Sequence, residues 1–178
     1  LDYKNYPSSD TFSFKNGDVN TEKYQEGIYV GYRYFDTFDV PVRYPFGYGL
    51  SYTDFSVNTK GVEAVNTESG KPEIAVTVEV TNTGDTYCGK EVVQIYVSCP
   101  QGKLAKEYRR LAGFAKTEEL KPQESCSMTI TFPVYQLASF DEEKAAWILE
   151  GGTYGIWVGS SIQDAEPAGS LCLDKDAV

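Results

Sequence analysis

The sequence has no histidine at all. Without an imidazole there is no Ser-His-Asp or Cys-His relay, and a zinc site loses its commonest nitrogen ligand. A glycine-rich phosphate loop followed by Lys-Ser/Thr is also missing, as is any Cys-x-x-Cys pair, so phosphoryl and hydride chemistry have no visible support. No stretch of 18 apolar residues occurs, so no segment reads as a membrane-spanning helix. No basic n-region followed by an apolar h-region opens the sequence, although Leu1 is not an initiator and a leader outside this sequence stays open. Positive charge is scarce: 16 Lys and Arg face 26 Asp and Glu, a net charge of -10 with a pI ≈ 4.5. That balance argues against nucleic acid and membrane as partners, since both reward clustered cations. Ordinary acidic solubility accounts for it.

Cysteine is sparse, with four in 178 residues. Cys99 shares strand parity with Val93, Ile95 and Val97, and Cys126 with Met128, Ile130 and Phe132, so both thiols should point into a core. Cys88 sits near a turn and Cys172 alternates with Leu171 and Leu173 toward the opposite face, so no pairing follows from the pattern. Free thiols are the expectation, with an intracellular or anaerobic origin as the corollary and a cytoplasmic setting favoured over a secreted one. The absence of an Asn-x-Ser/Thr sequon removes one sign of eukaryotic secretion and favours a bacterial origin.

What is abundant is aromatic, and it is unevenly placed. Of the 25 Phe, Tyr and Trp residues, 15 fall within the first 55 positions. Residues 1–23 carry Tyr3, Tyr6, Phe12 and Phe14 among Pro7, Ser8, Ser9, Asp10, Asn16, Gly17, Asp18 and Asn20, a composition too polar and turn-rich for a core of its own. Rings on such a segment call for a partner surface.

From Thr53 onward the period is that of strands. Ile74, Val76, Val78 and Val80 alternate with Glu73, Ala75, Thr77, Glu79 and Thr81, and Asn82-Thr83-Gly84-Asp85 closes the run. The same period returns at 91–99, 125–132 and 154–158, with Gly, Pro and Asn clusters between. This predicts an antiparallel sandwich of seven or eight strands over residues 56–174, with Val76, Val78, Ile95, Val97, Ile130, Phe132, Ile156 and Val158 in one core. Only residues 103–110 and 134–144 read as a turn or two of helix, the second started by Pro133. One domain with an appendage suits the length.

Arg43-Tyr44-Pro45-Phe46-Gly47-Tyr48-Gly49-Leu50-Ser51-Tyr52 alternates rings with a fixed φ at Pro45 and two permissive glycines, so it reads as an irregular connector that must pack against something. With Tyr24-Gln25-Glu26-Gly27-Ile28-Tyr29-Val30-Gly31-Tyr32-Arg33-Tyr34-Phe35-Asp36 upstream, it resembles a junction in glycoside hydrolase family 3, the β-glucosidases and β-xylosidases. There the chain leaves an α/β sandwich domain and enters a fibronectin type III-like domain. The resemblance continues through Lys90-Glu91-Val92-Val93-Gln94-Ile95-Tyr96-Val97, Leu111-Ala112-Gly113-Phe114-Ala115-Lys116, Gly151-Gly152-Thr153-Tyr154 and Val158-Gly159-Ser160-Ser161. Many relatives have His where this chain has Tyr48.

The resemblance implies a mainly β C-terminal region: an immunoglobulin/fibronectin type III-like sandwich at 53–178, preceded at 1–52 by the tail of the α/β sandwich domain and an aromatic linker. The last α/β strand would lie at about residues 27–35. It implies as partners the catalytic barrel and α/β sandwich domains of the same enzyme, with a β-glucoside substrate reached through them. Tyr29, Tyr32, Tyr34, Phe35, Tyr44, Phe46 and Tyr48 are then expected at the domain interface, and a homodimer through that patch is a further expectation. In the family the nucleophilic Asp lies on a (β/α)8 barrel and the acid/base Glu on the α/β domain. Neither motif matches a position here, so no catalytic residue is carried over.

A retaining glycosidase needs two carboxylates about 5 to 5.5 Å apart, and Asp36 and Asp39 are the least ordinary acids, read here as loop acids beside aromatic edges. Glu118-Glu119 and Glu142-Glu143 lack cation-loop spacing, so no metal and no cofactor is expected. Trp147 and Trp157 are candidate sugar-stacking rings, Trp157 on an outer face, with packing at a loop or interface the plainer reading. A free-standing carbohydrate-binding or adhesive β-sandwich remains the alternative.

Overall fold

The computed structural model describes residues 2–11 and 17–178; Phe12 and Phe14 lie outside them. Nine strands follow one another: β1 Phe55–Val65, β2 Glu73–Asn82, β3 Val92–Ser98, β4 Arg110–Lys116, β5 Ser125–Pro133, β6 Ser139–Asp141, β7 Ala146–Ile148, β8 Gly152–Gly159 and β9 Glu166–Leu173. Seven form two facing antiparallel sheets, one ordered β1-β2-β5 and the other β4-β3-β8-β9, while β6 and β7 make a separate hairpin.

Parity decides which side chains face inward. All eight residues expected in one core are there, joined by Ile74, Val80, Val93, Leu137 and Tyr154. β1 shows how a sequence that breaks strict alternation still complies. Val57 and Val62 have opposite parity, yet both pack on the core, because the β1–β2 register shifts between Thr59 and Gly61. On the reverse face of the three-stranded sheet the pairs are polar. The hydroxyls of Thr77 and Thr129 hydrogen-bond at 2.9 Å, those of Thr81 and Ser125 at 2.7 Å, and Lys60 pairs with Glu79 at 2.9 Å. Such cross-strand pairs add about 0.2–1 kcal/mol each and leave that face to water.

The four cysteines are unpaired thiols. Cys99 is buried and Cys126 half-buried against the core, whereas Cys88 and Cys172 are exposed. Burial pushes the Cys99 thiol above its ordinary range.

Two local expectations fail. Residues 27–35 form no strand: Gly27 and Gly31 take left-handed φ values of 56° and 60°, and a short helix, α1, runs Tyr32–Thr37. A helical turn sets Tyr32 and Asp36, four apart, within about 6 Å of each other on the face toward the sandwich, whereas an extended chain would hold them about 13 Å apart. Residues 103–109 make no helical turn either, because the backbone N–H groups of Lys103 and Leu104 donate to the Glu150 carboxylate at 2.7 and 3.3 Å. The second candidate stretch does begin with a 3₁₀ turn, Val134–Leu137, capped at Pro133, before continuing as the β6–β7 hairpin.

Asn82 closes β2 and is fully buried. Its Oδ1 accepts from Thr53 Oγ1 at 2.6 Å and from the Gly84 N–H at 3.1 Å, and its Nδ2 donates to the carbonyls of Tyr87 and Leu120 at 2.9 and 3.0 Å. One amide thus joins the end of the linker, the β2–β3 loop and the segment before β5. Asn82→Ala leaves several buried groups unpaired and should lower stability by about 3 kcal/mol. Urea unfolding checks this: an unchanged midpoint would show that the network carries no weight.

Candidate domain interface

The two sheets differ on their outer faces. The three-stranded sheet presents hydroxyls, but the four-stranded sheet presents Tyr96 and Trp157, whose parity sets them opposite the core. A second small cluster forms there, with Tyr96, Ile162 and Ala165 buried and Tyr32, Leu111 and Trp157 packed around them. The cover is the segment from α1 to Tyr48.

Each anchor of that segment is specific. The Tyr32 ring stacks on Phe46 at 4.2 Å and meets Tyr96 edge-on at 6.4 Å, and its hydroxyl accepts the Leu111 N–H at 2.8 Å. Asp36 takes Arg109 in a two-point pair, at 3.1 Å from Nε and 2.5 Å from Nη2. The Arg109 guanidinium lies 5.0 Å from the Tyr108 ring and 5.1 Å from Trp157, an arrangement that a planar cation favours. Thr37 Oγ1 accepts the Tyr108 N–H at 2.9 Å, and Phe46 O accepts the Ile162 N–H at 2.9 Å.

Gln94, buried on β3, donates to Gly47 O at 3.3 Å and to Ser160 O, while its Oε1 accepts from Tyr96 Oη at 2.5 Å. Gly47 sits at φ 84°, and a Cβ there would overlap the Gln94 amide, so both backbone freedom and space demand glycine. Burial, with Tyr32 nearby, pushes the Tyr96 phenol far above its ordinary range and keeps it a donor.

The seven rings expected at an interface therefore divide. Tyr32 and Phe46 face the chain's own sandwich. Tyr29 packs on Phe38 at 5.1 Å, Tyr34 on Phe35 and Phe38 at 5.4 and 5.0 Å, and Phe35 on Tyr6 at 5.4 Å. Tyr44 and Tyr48, 5.3 Å apart, stand outward at 62% and 49% exposure. Between the linker and Arg109 lies an open groove of ≈ 800 Å³, bordered by Tyr6, Asp39, Val42, Tyr44 and Gln163.

Asp36 is an ion-paired helix residue, not a loop acid, and its carboxylate is held by Arg109. Asp39 is exposed at a left-handed φ of 50°. Trp157 does lie on an outer face, but Arg109 and Tyr108 cover it and its Nε1 donates to Ser98 Oγ at 3.1 Å. Among the described residues no group of three or more His, Cys, Asp or Glu is placed to hold a metal ion. Sequence reasoning passed over Arg109, Gln94 and Tyr96; for Gln94 and Tyr96 the signal was a polar and an aromatic side chain at β3 positions facing away from the core, while nothing local in the sequence marks Arg109.

The fold is shared with known proteins. The fibronectin type III-like domain family matches residues 91–162. A β-glucosidase from Ruminococcus albus is 40% identical across 99% of this chain, which covers 18% of that protein. The crystal structure of a β-glucosidase from Paenibacillus barengoltzii superposes with a TM-score of 0.90 at 40% identity, over 98% of this chain and 20% of that one. The chain carries a fibronectin type III-like domain and is similar along nearly its whole length to one part of family 3 β-glucosidases. An exo-α-(1→6)-L-arabinopyranosidase from Bifidobacterium longum is also 38% identical over 99% of this chain and 22% of its own. The chain thus spans about a fifth of the length of these relatives.

Proposed function

We propose that this chain is a non-catalytic, bracing part of a family 3 glycoside hydrolase, a retaining β-glucosidase. Its sandwich at 53–178 holds, through the aromatic linker within 1–52, the barrel and α/β domains that carry the nucleophilic Asp and the acid/base Glu. The carrying observation is the two-sided linker: Tyr32, Asp36 and Phe46 fix its inner side to the sheet, while Tyr44 and Tyr48 stand outward on a fixed support. Outward rings on a rigid backing suit a docking surface, since little ordering cost remains to be met on association. Tyr29, Tyr34 and Phe35 extend the same surface. The near-equal identity of a β-glucosidase and an arabinopyranosidase across this chain supports a role in support over a role in choosing the sugar.

Matches that run almost the whole chain and cover about a fifth of longer enzymes favour this reading over a free-standing binding module. The test is Tyr44→Ser with Tyr48→Ser. In the isolated chain the pair should shift the melting temperature little; in the intact enzyme it should lower that temperature by several degrees and hasten thermal loss of aryl β-glucosidase activity. An intact enzyme indifferent to both changes would refute the docking role. The isolated chain should hydrolyse aryl β-glucosides no faster than buffer, and it should self-associate through the uncovered patch in light scattering.

A further inference from the structure

At another part of the fold the 3₁₀ turn Val134–Leu137 and the β6–β7 hairpin enclose a groove of ≈ 490 Å³. Its floor is Ala138 and Leu149, with Ala177 bridged to Leu149 by two backbone hydrogen bonds of 2.9 Å. Its walls are two rings, Tyr135 at 68% exposure and Trp147 at 64%. Trp147 is propped by Phe140, edge-on at 5.4 Å and 63°, so the indole stands in a set orientation without being covered.

The chemistry of this groove is specific. None of its lining side chains is charged, in a chain of net charge -10. Three hydrogen-bonding groups rim the apolar floor, the Trp147 indole N–H, the Tyr135 hydroxyl and the Gln136 amide, and none has a partner among the described residues. The volume falls in the range of small-ligand sites, about 300 to 1,000 Å³.

The geometry points to a surface site for a neutral saccharide, with the apolar face of a pyranose ring against Trp147 and its hydroxyls meeting Tyr135 and Gln136. The choice of a β-linked glucan as that saccharide rests on the proposed function above. Such a site would hold a chain of glucose units beside the enzyme while another part of the chain occupies the catalytic centre.

Native electrophoresis of the intact enzyme in gels cast with soluble mixed-linkage β-glucan, with free glucose saturating the active site, tests this. Retardation relative to a glucan-free gel is expected, weakened about tenfold in apparent affinity by Trp147→Ala and also by Tyr135→Ala. Aryl β-glucoside hydrolysis by both variants should match the parent, showing that they fold. Equal migration with and without glucan, or retardation that survives both substitutions, would overturn the site while leaving the bracing role untouched. Retardation by dextran or mannan but not by β-glucan would overturn the glucan assignment. A melting temperature of the intact enzyme that drops with Trp147→Ala while retardation is unchanged would make the groove a contact between domains, and so refute saccharide binding there.

Discussion

A chain shortened to begin at Thr53 is expected to lose cooperative folding, whereas one beginning at Gly27 keeps it. The shorter chain retains every strand of the two sheets. It loses Tyr32, Asp36 and Phe46, so Tyr96, which has no exposed surface in the longer chain, and Leu111 would meet water. Arg109, 8% exposed, would keep its guanidinium beside Trp157 with no carboxylate to balance it. Removing one partner of a largely buried ion pair costs about 3–5 kcal/mol, and stripping rings from a face adds roughly 25 cal/mol for each Å² of apolar surface uncovered. Together these approach the whole stability of a small domain, about 5–15 kcal/mol. Thermal melts of both chains by circular dichroism give the answer. Similar sharp transitions would mean that the linker rests on the sandwich without supporting it.

The second large effect is expected at Glu150. Lys106 and Glu150 form a buried ion pair, with Lys106 Nζ also donating to Leu104 O at 3.1 Å. Burial opposes ionisation of the carboxyl, but hydrogen bonds from Lys106 and from the N–H groups of Lys103 and Leu104 outweigh it and hold its pKa below the ordinary 4.5. Glu150→Gln keeps an acceptor for those N–H groups yet strands the ammonium, at a cost of about 3–5 kcal/mol. Adding Lys106→Met should restore most of the loss. The pH dependence follows from the lowered pKa. The unfolded chain takes up the proton first, so the contribution is complete above about pH 4.5 and disappears as pH falls through the folded value. Urea titrations from pH 7 to 3 should show this acid loss in the parent and a flatter profile in Glu150→Gln. A parent profile as flat as the variant's would refute the linkage.

The sandwich was legible because β2, β3, β5 and β8 obey a period of two, and burial on one face is all that parity encodes. The bulge in β1 escaped the pattern, since a register shift changes parity without leaving a residue signature beyond Gly61. The candidate interface was legible in its composition but not in its geometry. Asp36 and Arg109 are 73 positions apart, and nothing local in either segment announces the other. The turn of helix at Tyr32–Thr37 was hidden for a similar reason. Its sequence, Tyr-Arg-Tyr-Phe-Asp-Thr, is rich in strand formers, and contacts to Leu111 and Arg109 override that preference. The division expected at 52/53 was placed where alternation begins; in packing terms Tyr32, Asp36 and Phe46 already sit with the sheet.

The hydroxyl-lined face of β1-β2-β5 makes the domain one-sided, and that gives experiments a handle. Ser127, exposed and paired across the sheet with Glu79, points away from the linker, the core and the Trp147 groove alike. A dye or surface tether placed there would report on the tumbling and orientation of the domain, or immobilise the enzyme, with both aromatic surfaces still free.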